Sequence, residues 1–95
     1  MVAHSSGKPY TENFLDETAR IRTFADVDEA ELIWHRDREN RKVTVLEGKE
    51  WFLQIDDCLP VPLNVNEVHE IPKMVFHRLI KGKDSLKIRI EEWQE

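Results

Sequence analysis

With one cysteine, Cys58, the chain cannot close an internal disulfide, and nothing in it calls for an oxidising compartment. It has no apolar run long enough to span a bilayer. Its start, Met1-Val2-Ala3-His4-Ser5-Ser6-Gly7, lacks the basic-then-apolar order of a secretion leader, so a cytoplasmic protein is expected. Basic excess is missing too: 19 acidic residues stand against 14 basic ones, for a net charge of -5. The densest basic stretch, Arg36-Asp37-Arg38-Glu39-Asn40-Arg41-Lys42, is interleaved with acids, which argues against a surface that tracks nucleic-acid phosphates. Repeats, low-complexity tracts and linkers are absent. Helical periodicity is weak: Asp26 to Glu31 has acids at helical spacing but no apolar stripe.

What is present is a series of short apolar runs punctuated by turn residues. Ninety-five residues, 40% hydrophobic and 35% charged, make one small globular domain. Residues 1–17 read as a polar lead-in without periodicity, and 18–95 as the folded domain. Ala19 to Phe24 alternates, and Ala30 to His35 is a second extended run. Lys42 to Leu46 ends at Glu47-Gly48-Lys49, and Trp51 to Ile55 ends at Asp56-Asp57. The prolines of Pro60 to Val65 suit only an edge or irregular strand. Val68 to Ile71 is closed by Pro72, Val75 to Ile80 stops at Lys81-Gly82, and Leu86 to Ile90 alternates strictly. Evenly spaced short strands of this kind predict an all-β barrel or sandwich.

Two stretches carry a family resemblance. His35-Arg36-Asp37 occupies a His-x-His place, Arg41 the place of a following glutamate, and Gly48 that of a closing glycine. Downstream, Asn66 stands for a first glycine, Pro72 matches a proline, Met74 stands for a second glycine, and His77 matches a histidine. In this order they resemble the paired motifs of the cupin superfamily, from Trp34 to Glu92. The resemblance implies a single-domain cupin, a double-stranded β-helix or jelly-roll barrel of RmlC-like type. It also implies a homodimer formed through N-terminal strands. In the family, two histidines and a glutamate from the first motif and a histidine from the second bind a divalent ion. Here His35, Asp37 and His77 remain, with a guanidinium in place of the fourth ligand.

Residues two apart on a strand share a side, so His35 and Asp37 are expected to face the barrel interior, with Arg41 in phase and His77 opposite. Two imidazoles and a carboxylate suit non-haem Fe(II), and Zn(II), Mn(II) or Ni(II) can use the same donors. Arg41 has no lone pair to ligate but can clamp a carboxylate or phosphate. Equally, Asp37 and Arg41 can be an ion pair that replaced the metal. His69 shares a face with Ile71 and is a candidate pocket acid or base. Gln54, if inward, would offer a ligand its amide, while Glu39 could replace a carboxylate ligand only if the strand bends. Trp34 and Phe76 should point away from the histidines, and Cys58 reads as structural.

These residues lead to a small cupin-like protein that binds a small anionic molecule, with a divalent metal in its pocket. Arg41, Gln54 and His69 are the ligand-binding candidates, and His35, Asp37 and His77 the metal candidates. One alternative is a metal-dependent oxygenase or isomerase, including a 2-oxoglutarate variant in which Lys87 or Arg89 holds the cosubstrate. Another is a non-catalytic structural or assembly protein.

Overall fold

The computed structural model describes residues 10–25 and 32–94. The weak helix candidate at 26–31 and the first nine residues of the lead-in lie outside them. The described residues form strands β1 (Tyr10–Phe14), β2 (Ala19–Phe24), β3 (Asn40–Lys49), β4 (Phe52–Ile55), β5 (Val61–Pro62), β6 (Val68–Ile71), β7 (His77–Ile80) and β8 (Lys83–Trp93). All pair antiparallel, in a five-stranded sheet ordered β1-β2-β8-β3-β6 and a three-stranded sheet ordered β5-β4-β7. No helix among the described residues is long and apolar enough to cross a membrane.

Alternation sets which side of each strand is buried. On β8, Leu86, Ile88 and Ile90 are buried while Arg89 is exposed. These three pair with Phe24, Arg22 and Arg20 of β2, which places those arginines on the inner face. Val43 and Val45 of β3 lie opposite Ile90 and Ile88 from the other flank. The second sheet closes the core with Leu53, and Trp51 and Leu63 fill its margin. Trp51 is fully buried, and its indole N–H donates to the Lys83 carbonyl at 3.3 Å, so its polar atom is satisfied.

The lead-in needs correction over its second half, since Tyr10–Phe14 is a full strand in register with β2. Its pattern lacks apolar periodicity because an inward position is a charge. Tyr10 packs edge-on against Phe24 at 5.2 Å, while Glu12 meets Arg20 and Arg22. The β1–β2 turn is pinned by Asp16, whose carboxylate accepts from the Thr18 and Ala19 amides at 2.7 and 2.9 Å. As its prolines suggest, β5 is only two residues long and lies at a sheet edge.

Two backbone details bear on the motif assignment. Asn66 and Met74, aligned with family glycines, have φ of 74° and 63°, the left-handed region that glycine occupies most readily.

Candidate metal centre

Residues 32–39 carry the chain toward β3 and lie against the segment before β7. His35 and His77 form an isolated antiparallel bridge, each backbone N–H donating to the other's carbonyl at 3.0 and 2.8 Å. The Met74 amide donates to the Asp37 carbonyl at 2.7 Å, and the Lys73 amide to Asn40 Oδ1 at 3.0 Å. Two stretches distant in sequence are thereby fixed side by side, which brings their polar side chains to one point.

The imidazoles of His35 and His77 lie 4.4 Å apart between centroids, at 62°. Each Nδ1 lies 2.9 Å from the carbonyl oxygen two residues earlier, of Ile33 and Val75 respectively. A carbonyl can only accept, so each Nδ1 carries a proton, and a neutral ring then presents its lone pair at Nε2. That is how protein second shells orient metal-binding imidazoles. His77 Nε2 and Arg41 Nη1 each approach Asp37 Oδ2 to 3.3 Å. Both contacts are ion pairs that fall short of hydrogen-bond geometry.

One donor atom each from His35, Asp37 and His77 lies within 4.8 Å of the others. Two imidazoles and a carboxylate at this spacing fit a divalent cation. Burial alone would raise the Asp37 carboxyl, but contact with His77 and then the charge of Arg41 hold it below the usual carboxylate range. It is thus ionised, as a ligand must be. His77 is buried, Asp37 half-buried and His35 exposed, so the group is open on one side.

The group lines a cavity of about 290 Å³. Leu53, Leu63, Leu79, Ile71 and Ile90 contribute apolar wall, while Arg41 and Arg22 also reach the lining. Both arginines are engaged. Arg41 Nε donates to Glu92 Oε2 at 2.8 Å, and Arg22 Nη2 lies 2.6 Å from Glu12, beneath the Tyr10 ring at 3.9 Å. Arg20 links the two carboxylates, at 2.9 Å from Glu12 and 2.7 Å from Glu92. A chain of alternating charge thus runs Arg22–Glu12–Arg20–Glu92–Arg41–Asp37–His77 across the inner face.

The structure brings His35, Asp37, His77 and Arg41 together and leaves the other candidates outside. Gln54 does not line the cavity: its amide donates to the Cys58 carbonyl at 3.1 Å and accepts from Arg78 Nε at 3.0 Å. The adjacent Leu53 has the inward position, by the alternation of β4. His69 lies on β6 opposite Val43 but is not among the lining residues, and its Nε2 lies 3.4 Å from Glu67. Lys87 and Arg89 point away from Ile88 and Ile90 and pair with Glu47 and Glu91, so they cannot hold a cosubstrate in the cavity. Glu39 is half-buried and is not among the grouped donors. Trp34 and Phe76 face outward as expected, beneath Arg78 and Arg36. Sequence reasoning missed Arg20, Arg22, Glu12 and Glu92. The available signal was a charge in phase with core residues, as Arg22 is with Phe24 and Glu92 with Ile90.

No protein-family model and no curated protein matches the chain by sequence. Solved structures do match by shape. Iron(II) HppE superposes with a TM-score of 0.71 at 20% identity, covering 88% of this chain and 50% of that one. Hydroxypropylphosphonic acid epoxidase from S. wedmorenis gives 0.73 at 19% identity, covering 90% and 51%. The DMSP lyase structures of RdDddP and RnDddQII give 0.68 at 12% identity, covering 81% and 37%. The chain spans about half the length of the first two. At such identities the likeness speaks for the fold alone, and with the all-β topology and the paired motif segments it shows that this chain folds as a cupin-type β-barrel.

Proposed function

We propose that the chain binds one divalent metal ion through His35, Asp37 and His77 and presents it to a small molecule held in the adjoining cavity. The observation that carries this reading is the convergence of one donor atom each from His35, Asp37 and His77 within 4.8 Å, with each imidazole's Nδ1 tied to a carbonyl so that Nε2 is left to face the group. A two-histidine, one-carboxylate donor set suits iron(II) best, and Zn(II), Mn(II) and Ni(II) are its competitors. Such an ion, when bound, polarises an oxygen-bearing group or activates oxygen. The similar folds include the epoxidase HppE, seen in an iron(II) form, and DMSP lyases, which supports a metal-dependent enzyme.

The chain's own residues set the ligand class. Leu53, Leu63, Leu79, Ile71 and Ile90 give the cavity an apolar wall, which suits a molecule with a largely apolar body. Its polar or anionic head lies at the end where His35, Asp37 and Arg41 converge. A second reading is a non-catalytic binding barrel, favoured by Arg41 standing in a family ligand position and pairing with Asp37.

Thermal melting with short-chain aliphatic carboxylates and phosphonates, with Fe(II) and with a chelator, separates the two readings. A metal-dependent site is stabilised by such ligands only when the metal is present. Stabilisation that persists in chelator favours the metal-free barrel.

A further inference from the structure

The metal donors account for one end of the charge chain but not for Glu92, which touches none of them. Glu92 lies on β8 opposite Arg41 of β3. Its carboxylate takes Arg20 in a two-point contact, Nη1 to Oε1 at 3.1 Å and Nη2 to Oε2 at 2.7 Å. The same Oε2 accepts from Arg41 Nε at 2.8 Å. Glu92 is thus clamped from β2 while it holds Arg41.

Arg41 has two carboxylates in reach and treats them unequally. It makes a 2.8 Å hydrogen bond to Glu92 through Nε, whereas its Nη1 reaches Asp37 Oδ2 only as a longer 3.3 Å ion pair without hydrogen-bond geometry. A guanidinium is a strong bidentate partner for a carboxylate, and an unrestrained Arg41 would close on Asp37 and occupy its lone pairs. A metal ion would then have to displace it.

We infer that Glu92 is a positioning residue for the metal centre: by anchoring Arg41 to β8 it keeps the Asp37 oxygen available as a ligand. This rests on the metal-binding reading above. Arg20 supports the same function by fixing Glu92, and the chain onward to Glu12 and Arg22 ties the arrangement to β1. Removing the anchor should leave Arg41 free to compete with the metal, whereas removing Arg41 as well should abolish the competition.

The test is a double-mutant cycle read by Co(II) affinity, from the visible absorption of bound cobalt under anaerobic conditions. Glu92→Gln should weaken Co(II) binding about tenfold, the lower range for outer-shell changes. The double variant Glu92→Gln/Arg41→Gln should bind within about threefold of Arg41→Gln alone, because Glu92 has nothing left to restrain. A merely structural Glu92 would give the same loss in both backgrounds, and that additivity overturns the inference. So does a Glu92→Gln protein that binds within twofold of the parent. If Glu92→Gln does not fold, Arg20→Gln, which loosens Glu92, should show a smaller weakening that also disappears with Arg41→Gln. Its absence counts against the inference equally. A parent protein that binds no Co(II) removes the metal reading and this inference with it, whereas cobalt binding insensitive to Glu92 removes the inference alone.

Discussion

His35 and His77 exchange both backbone hydrogen bonds across an isolated bridge, and each fixes its own ring through a carbonyl two residues upstream. The two imidazoles are equivalent as donors but not as parts of the fold. His77 is 3% exposed and begins β7, while His35 is exposed. His77→Ala should therefore cost about 1–3 kcal/mol of metal-free stability, from the lost buried polar contacts and space left behind. His35→Ala should cost well under half of that. Both should lose metal binding. Urea unfolding in chelator, paired with a metal titration, checks this, and equal destabilisation by the two variants would contradict it.

Gly82 sits between β7 and β8 where the backbone of Glu50 leaves no room. A Cβ built there would meet the Glu50 carbonyl carbon at 2.3 Å. Gly82→Ala must push two backbone segments apart, at a cost of about 1–3 kcal/mol, similar to overpacking a core. Trp51→Ala, in the same corner and fully buried, should cost about 3–5 kcal/mol. Thermal melts of the two variants provide the comparison, with Gly82→Ala expected to fall between parent and Trp51→Ala.

Acid should destabilise the metal-free protein partly through Glu92. Burial pushes its carboxyl up, but the hydrogen bond from Arg20, then the charges of Arg41 and Arg20, hold it below the ordinary value of 4.5. The groups facing it are Arg20 on β2 and Arg41 on β3, with Glu12 of β1 sharing Arg20. A carboxyl with a depressed folded pKa stabilises the fold above its unfolded value, and this stability is lost as pH falls through the folded value. Glu92→Gln should flatten the loss of stability below about pH 4.5, the carboxyl's ordinary value. Parallel stability–pH curves for parent and variant would show that Glu92 adds nothing to the acid response.

Much of the fold was legible because each sheet buries one face. Strict alternation in β8 and the turn signals around Gly48 and Gly82 located strands within a few residues. By contrast, β1 was hidden because its inward Glu12 is neutralised only by arginines from the next strand, a partnership that periodicity cannot display. The same limit applies to the site. Parity placed His35 and Asp37 together, whereas His69 and Gln54 failed because the correct strand face is not sufficient to reach the cavity. His69 has the inner face of β6, opposite the lining residue Val43, yet is not among the lining residues and turns to Glu67, and Gln54 occupies the outer face of β4.

The most direct measurement is the iron(II) stoichiometry of the untagged protein by anaerobic equilibrium dialysis, repeated for Asp37→Asn and His77→Gln. One ion per chain is expected for the parent, with at least a tenfold loss of affinity in each variant. No binding by the parent, or binding that survives both substitutions, would contradict a metal centre at His35, Asp37 and His77.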